Sequence, residues 1–176
     1  MKFVKISIKI IFLGVFIYFV FSQCAKPQLV KQPEIKTIKI ESKGYHLGDS
    51  DDEDFTRVKP DGLNYSKSFK LDKLGKEIKL VVISSQLTTK VVEGNDYNKS
   101  FLYVNGEKIA CLNDKVSDSN STDKVTHTYP LDKKILKTGK NTISIKIIPK
   151  KKHIDDFEIH KIELKLKMPV AAPAGK

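Results

Sequence analysis

The chain has no tryptophan, two methionines and only two cysteines in 176 residues. Two cysteines allow at most one disulfide, not a framework of them, and no Cys pair offers a zinc site. The four histidines, His46, His127, His153 and His160, stand singly. Neither a His-x-His nor a His-Glu-x-x-His spacing occurs, and Ser84-Ser85 lacks a Gly-x-Ser-x-Gly elbow, so no catalytic constellation is legible and no enzyme is expected. Also missing is an apolar run long enough to cross a bilayer: Ile10 to Phe21 is uncharged for twelve residues, where a span needs about 20. No segment keeps a helical period, and no internal repeat of about 20 to 50 residues is present.

Positive charge, in contrast, is plentiful. Lys+Arg 32 against Asp+Glu 21 gives a net charge of +11, and only Lys2, Lys5 and Lys9 of that excess lie in the N-terminal leader. Such a surface favours anionic partners, whether phospholipid head groups, acidic glycans or nucleic acid. Nucleic acid is not expected, because the basic stretches lack interleaved aromatics and the leader points to export. The run Lys150-Lys151-Lys152 with His153 forms a basic loop suited to lipid head groups or an acidic polysaccharide.

The dominant pattern is alternation. Phe101 to Ala110 (FLYV-NG-EKIA) reads as a hairpin, because both residues of Asn105-Gly106 tolerate positive φ. After Gly139 and Asn141, which can bond its own backbone, Ile143, Ile145 and Ile147 share one face while Thr142, Ser144 and Lys146 share the other. Further strands are expected at 35–40, 65–71, 77–85, 125–131 and 157–166. The strand at 77–85 is apolar on both sides in its middle, as a covered central strand would be. In the last strand Phe157 and Ile159 are out of phase with Ile162, Leu164 and Leu166, and one bulge near His160 would turn both sets inward. Residues 41–62, 92–98 and 112–124 read as loops, and Cys111 as a small buried hydrophobe. About eight short strands predict an all-β, antiparallel β-sandwich over 35–167, with a Pro/Ala-rich disordered tail at 168–176.

Met1 to Lys9 is a cationic leader, followed by the short apolar run and by Phe21-Ser22-Gln23-Cys24. This passage resembles the bacterial lipobox, with Gln23 where Gly, Ala or Ser is usual. The resemblance implies that 1–23 is a signal peptide, that Cys24 carries the lipid, and that 24–34 (two prolines, little apolar pattern) is a tether. It places the folded part in the cell envelope, at the outer membrane or cell surface. Cys111 is then left without a partner cysteine.

The order of FKL, YVNGEKI, YPLDKKILKTGKNTISI and DDFEIHKIEL resembles the galactose-binding-like jelly roll of sugar-binding modules over Tyr45 to Leu166. The implied function is a binding module for a glycan or another surface macromolecule, or alternatively a structural lipoprotein of an envelope complex with a protein partner. The acidic run Asp49-Ser50-Asp51-Asp52-Glu53-Asp54 carries five carboxylates in six residues, hard oxygen ligands suited to calcium. The resemblance adds the start of the last strand, so Asp49, Asp51 and Asp156 are the expected ligands of a structural calcium. Among the tyrosines, Tyr97 in a polar loop is best placed to stack on a sugar, whereas Tyr103 and Tyr129, within strands, read as core.

Overall fold

The computed structural model describes residues 32–88, 91–92, 95–96, 99–116, 123–149, 154 and 156–170. The chain divides between Gln32 and Pro33, and every strand belongs to the second unit, 33–176. The leader, Cys24, Tyr97, the Lys150-Lys151-Lys152 run and residues 171–176 lie outside the described residues.

Eleven strands follow one another among these residues: β1 (Ile35–Glu41), β2 (Tyr45–Leu47), β3 (Asn64–Leu71), β4 (Glu77–Ser85), β5 (Val91–Val92), β6 (Asn95–Asp96), β7 (Lys99–Val104), β8 (Glu107–Cys111), β9 (Val125–Pro130), β10 (Gly139–Ile148) and β11 (Phe157–Lys167). One sheet, A, runs β1-β11-β4-β9, with β2 also paired to β11; the other, B, runs β3-β10-β7-β8; β5 and β6 pair only with each other. All pairings are antiparallel. Two facing antiparallel sheets make the β-sandwich that alternation predicts.

The core lies between the sheets. From A it takes Leu80, Val82, Phe157, Ile159, Ile162, Leu164 and Leu166, and from B Tyr65, Leu102, Val104, Ile143, Ile145 and Ile147. Each such aliphatic side chain contributes about 1.5 to 3 kcal/mol on burial. The register of β11 against β4 slips between Ile159 and Lys161, which is the bulge the phase change at His160 requires. Pro130 ends β9 on the edge of sheet A, where its missing N–H costs no ladder bond. Asn105 takes φ 52° and Gly106 φ 87° in the β7–β8 turn. Asn141 donates to the carbonyls of Lys137 (2.7 Å) and Gly139 (3.0 Å), closing the turn into β10.

Three expectations need correction. The loop at 41–62 contains β2, whose Leu47 is fully buried against β11; three residues are too few for a period to show. Residues 92–98 include β6 and the end of β5. Leu112 and Asn113 are buried in a short 3-10 turn rather than lying in an exposed loop, because the Asn113 side chain accepts the Ser100 N–H (2.8 Å) and donates to the Thr88 carbonyl (3.0 Å). β4 is central in sheet A and covered in its apolar middle, Leu80 to Val82, as expected. Its inner face meets the core, but Val81 on the outer face is screened by flanking side chains of its own sheet.

Candidate functional site

The bulge at His160 shapes one end of sheet A. Because Phe157 and Ile159 point into the core, Glu158 between them points to the opposite face, next to Ser85, its cross-strand partner on β4. Within the slip, His160 reaches the same place, and Ser85 Oγ lies 2.8 Å from its Nε2. The segment between β2 and β3 folds back over them: the Thr56 N–H donates to Glu158 Oε2 (3.2 Å). Gln86, at φ 59°, turns the chain out of β4. Asp54, Thr56, Gln86 and Lys124 complete the walls of a cleft of about 370 Å³ whose floor is Ser85, Glu158 and His160.

Its electrostatics are set by the floor. Glu158 is 2% exposed, and its Oε1 is buried with no hydrogen-bond partner. Burial pushes the His160 pKa below the ordinary histidine value; Glu158 opposes the shift and Lys124 adds to it. A neutral imidazole can accept the Ser85 hydroxyl proton. Ser85, His160 and Glu158 follow one another in the order of nucleophile, base and orienting acid. However, the 3.7 Å from His160 Nδ1 to Glu158 Oε2 exceeds a hydrogen bond, and Ser85 is 6% exposed. Ser85 and His160 therefore share the hydrogen bond among the three groups, and Glu158 stands beside the imidazole. The neighbouring pair, Ser84 Oγ and His127 Nε2 at 3.1 Å, is buried.

The cleft is held to the rest of the loop by Asp156. Its Oδ1 accepts the Ser50 N–H (3.1 Å) and lies 3.2 Å from His46 Nε2, whose Nδ1 is 2.8 Å from the Arg57 carbonyl. His46 is fully buried, with Phe55 edge-on to its ring at 4.2 Å; a lone loop histidine gives no sequence signal for this. The acidic loop and the start of β11 do meet. Asp49 and Asp51 do not join Asp156 around a common point, and among the described residues no group of three or more His, Cys, Asp or Glu could hold a metal ion. Among the described residues, hydrogen bonds from Ser50 and His46 to Asp156 join the two segments.

Of the tyrosines, Tyr129 is buried as expected, and burial pushes its hydroxyl up to about 12. Tyr103 is not core. With Phe101 it alternates against buried Leu102 and Val104 and stands half-buried on the outer face of sheet B. Both rings are covered by ammonium groups, Lys108 Nζ 3.3 Å from the Phe101 centroid and Lys146 Nζ 5.4 Å from that of Tyr103. Glu158, His160 and Ser85 were missed because charged and polar residues in a strand read as its wet face. The bulge was the one available signal.

No protein-family model matches the chain, and no curated protein matches it. Solved structures do. The CBM36-1 domain of a multidomain xylanase from the hindgut metagenome of Trinervitermes trinervoides is 13% identical, covering 78% of this chain and all of that domain with a TM-score of 0.44. A family 35 carbohydrate binding module from Clostridium thermocellum is 11% identical over 73% of this chain and 97% of that one, TM-score 0.41. Dimeric latent PorU from Porphyromonas gingivalis is 10% identical over 81% of this chain, which spans only 13% of PorU, TM-score 0.44. The two-sheet sandwich itself is read from the strand pairing of this chain.

Proposed function

We propose that the protein is a lipid-anchored, extracytoplasmic binding module that takes a glycan in the cleft at the head of β4 and β11. The observation that carries this reading is the convergence there of two carboxylates, an imidazole, two hydroxyls, an amide and an ammonium around one cleft. Each sugar hydroxyl is at once donor and acceptor, so a wall of mixed polar groups matches a saccharide better than it matches an apolar ligand or a single ion. Glu158, buried at the floor and held by the Thr56 N–H, sets a fixed negative charge beneath the exposed wall groups. The leader, the short apolar run and Cys24 support anchoring through a thioether-linked lipid at the envelope surface.

A glycan array probed with the full-length chain in neutral detergent tests the binding, beside Asp54→Asn and Lys124→Gln. Both side chains are exposed, so these variants should fold normally and lose at least tenfold in affinity. Wild-type affinity in both variants, or no saccharide bound at all, overturns the cleft as a glycan site. Co-purification of a stable protein partner with no saccharide bound supports the structural-lipoprotein alternative. Mass spectrometry of the mature N-terminus tests the anchor: a diacylated Cys24 is expected, and an intact Met1 to Cys24 contradicts it.

A further inference from the structure

From the cleft, the outer face of sheet A continues along β4 and β11 toward a second concavity of about 310 Å³. Val81 forms its floor, 6% exposed, and Thr128 its side; Ile35, 67% exposed, stands at its far end. Ser85 in the cleft and Val81 are four steps apart along β4, a distance of about 13 Å at strand rise.

Charge sets this groove apart. Lys79 and Lys165 are directly opposite on neighbouring strands, and like charges so placed repel. The nearby carboxylates are already engaged: Glu77 holds Lys167 at 2.7 Å, and Glu163, itself buried, holds Lys161 at 2.7 Å. Neither Lys79 nor Lys165 has an ion-pair partner within 4.0 Å among the described residues, although Lys79 adds to the field that Lys167 exerts on Glu77, which also lines the groove. An anion seated between the two ammonium groups would turn a repulsive pair into two attractions, while Val81 and Ile35 offer apolar surface beside it. A lipid bilayer fits poorly, because the lysines flank a concavity in a sheet face rather than crowning a projecting loop.

We infer that the outer face of β4 and β11 is a binding track for an acidic polysaccharide, carrying carboxylate or sulfate groups, with an anionic group held between Lys79 and Lys165. The inference names the ligand class for the proposed glycan-binding function and rests on it.

The test is affinity electrophoresis of the full-length chain in neutral detergent through gels containing polygalacturonate, dextran sulfate or neutral dextran. Retardation by one or both anionic polymers, and not by dextran, is expected, and the two anionic arms separate carboxylate from sulfate. Lys79→Gln/Lys165→Gln should weaken it at least tenfold without lowering the melting temperature. The matched control is Lys70→Gln/Lys140→Gln, another opposed lysine pair, at the open end of sheet B; it removes the same charge and should stay within twofold of wild type. Equal losses in both variants mean diffuse charge attraction and overturn the groove. Full binding by Lys79→Gln/Lys165→Gln, with binding abolished by Asp54→Asn/Lys124→Gln, overturns the groove and leaves the cleft reading standing. Loss of neither, with a preference for phosphatidylglycerol over phosphatidylcholine vesicles that Lys79→Gln/Lys165→Gln removes, overturns the polysaccharide in favour of a membrane.

Discussion

An alanine at position 48 would put its methyl group on top of the Oδ1 and Cγ of Asp156 and 2.9 Å from its Cβ. No small rotation of the carboxylate relieves that overlap, so the whole Asp156 side chain has to leave. Two interactions go with it, the Ser50 N–H bond and the contact with fully buried His46. A hydrogen bond to a charged group contributes about 1.5 to 3 kcal/mol, and the exposed Ser50 bond should sit below that range. The expected cost of Gly48→Ala is therefore about 2 to 4 kcal/mol. In a chain of this size each kcal/mol lowers the melting temperature by about 2 to 4 °C, so thermal unfolding followed by circular dichroism should shift down by roughly 5 to 15 °C. The double-mutant cycle is the sharper assay. Asp156→Ala loses the same bonds and removes the two atoms of closest overlap, so adding Gly48→Ala to it should cost clearly less than in the wild type, the remainder being the 2.9 Å approach of the retained Cβ and the φ of 159° at position 48. A Gly48→Ala variant melting within 2 °C of wild type, or strictly additive effects, would refute the linkage of the acidic loop to β11 through Asp156. The same melts with calcium and with chelator test the calcium expected from the sequence. A melting temperature raised by calcium and lowered by chelator is the outcome that expectation requires, and coincident curves remove it.

Asn141 is 1% exposed and also accepts from the Lys137 N–H (3.0 Å) and from Asn105 Nδ2 (2.8 Å), making four bonds with its two donations. At about 1 kcal/mol net per bond, Asn141→Ala should lose roughly 4 kcal/mol by urea titration, and a loss under 1 kcal/mol would count against this network. Burial lowers the pKa of both His127 and His160 from the usual 6.5, aided by Lys115 at His127, while at His160 Glu158 opposes and Lys124 adds. Below that value the unfolded chain takes up protons before the folded one, so the stability these rings contribute is complete above about 6.5 and shrinks as pH falls. The urea midpoint should drop between pH 7.5 and 5.5, less so in His127→Gln; a flat profile contradicts the buried neutral rings. The Cys111 thiol, buried in β8, should react with Ellman's reagent only as fast as the chain unfolds.

Regular alternation is what made the sandwich readable, because a strand with one face on the core repeats every two residues wherever it runs. The same rule located the bulge, since Phe157 and Ile159 can join Ile162 and Leu164 inside only if the register slips between them. Asn141 was readable because its partners Lys137 and Gly139 are close in the chain. The cleft was not. Thr56 meets Glu158 across 102 residues and His46 meets Asp156 across 110, and such closures leave no period in the sequence. Tyr103 was misplaced for a different reason: an aromatic residue in a strand suits either face, and only the buried Leu102 and Val104 decide which.

The most direct test is titration calorimetry of the full-length chain with the best saccharide from the array, repeated with Glu158→Gln. That substitution keeps the shape of the buried side chain and exchanges a carboxylate oxygen for an amide donor. Measurable heat for the wild type, with affinity down at least tenfold in a Glu158→Gln variant of unchanged melting temperature, is the expected result. Equal affinity in the two proteins would contradict a glycan site at the head of β4 and β11.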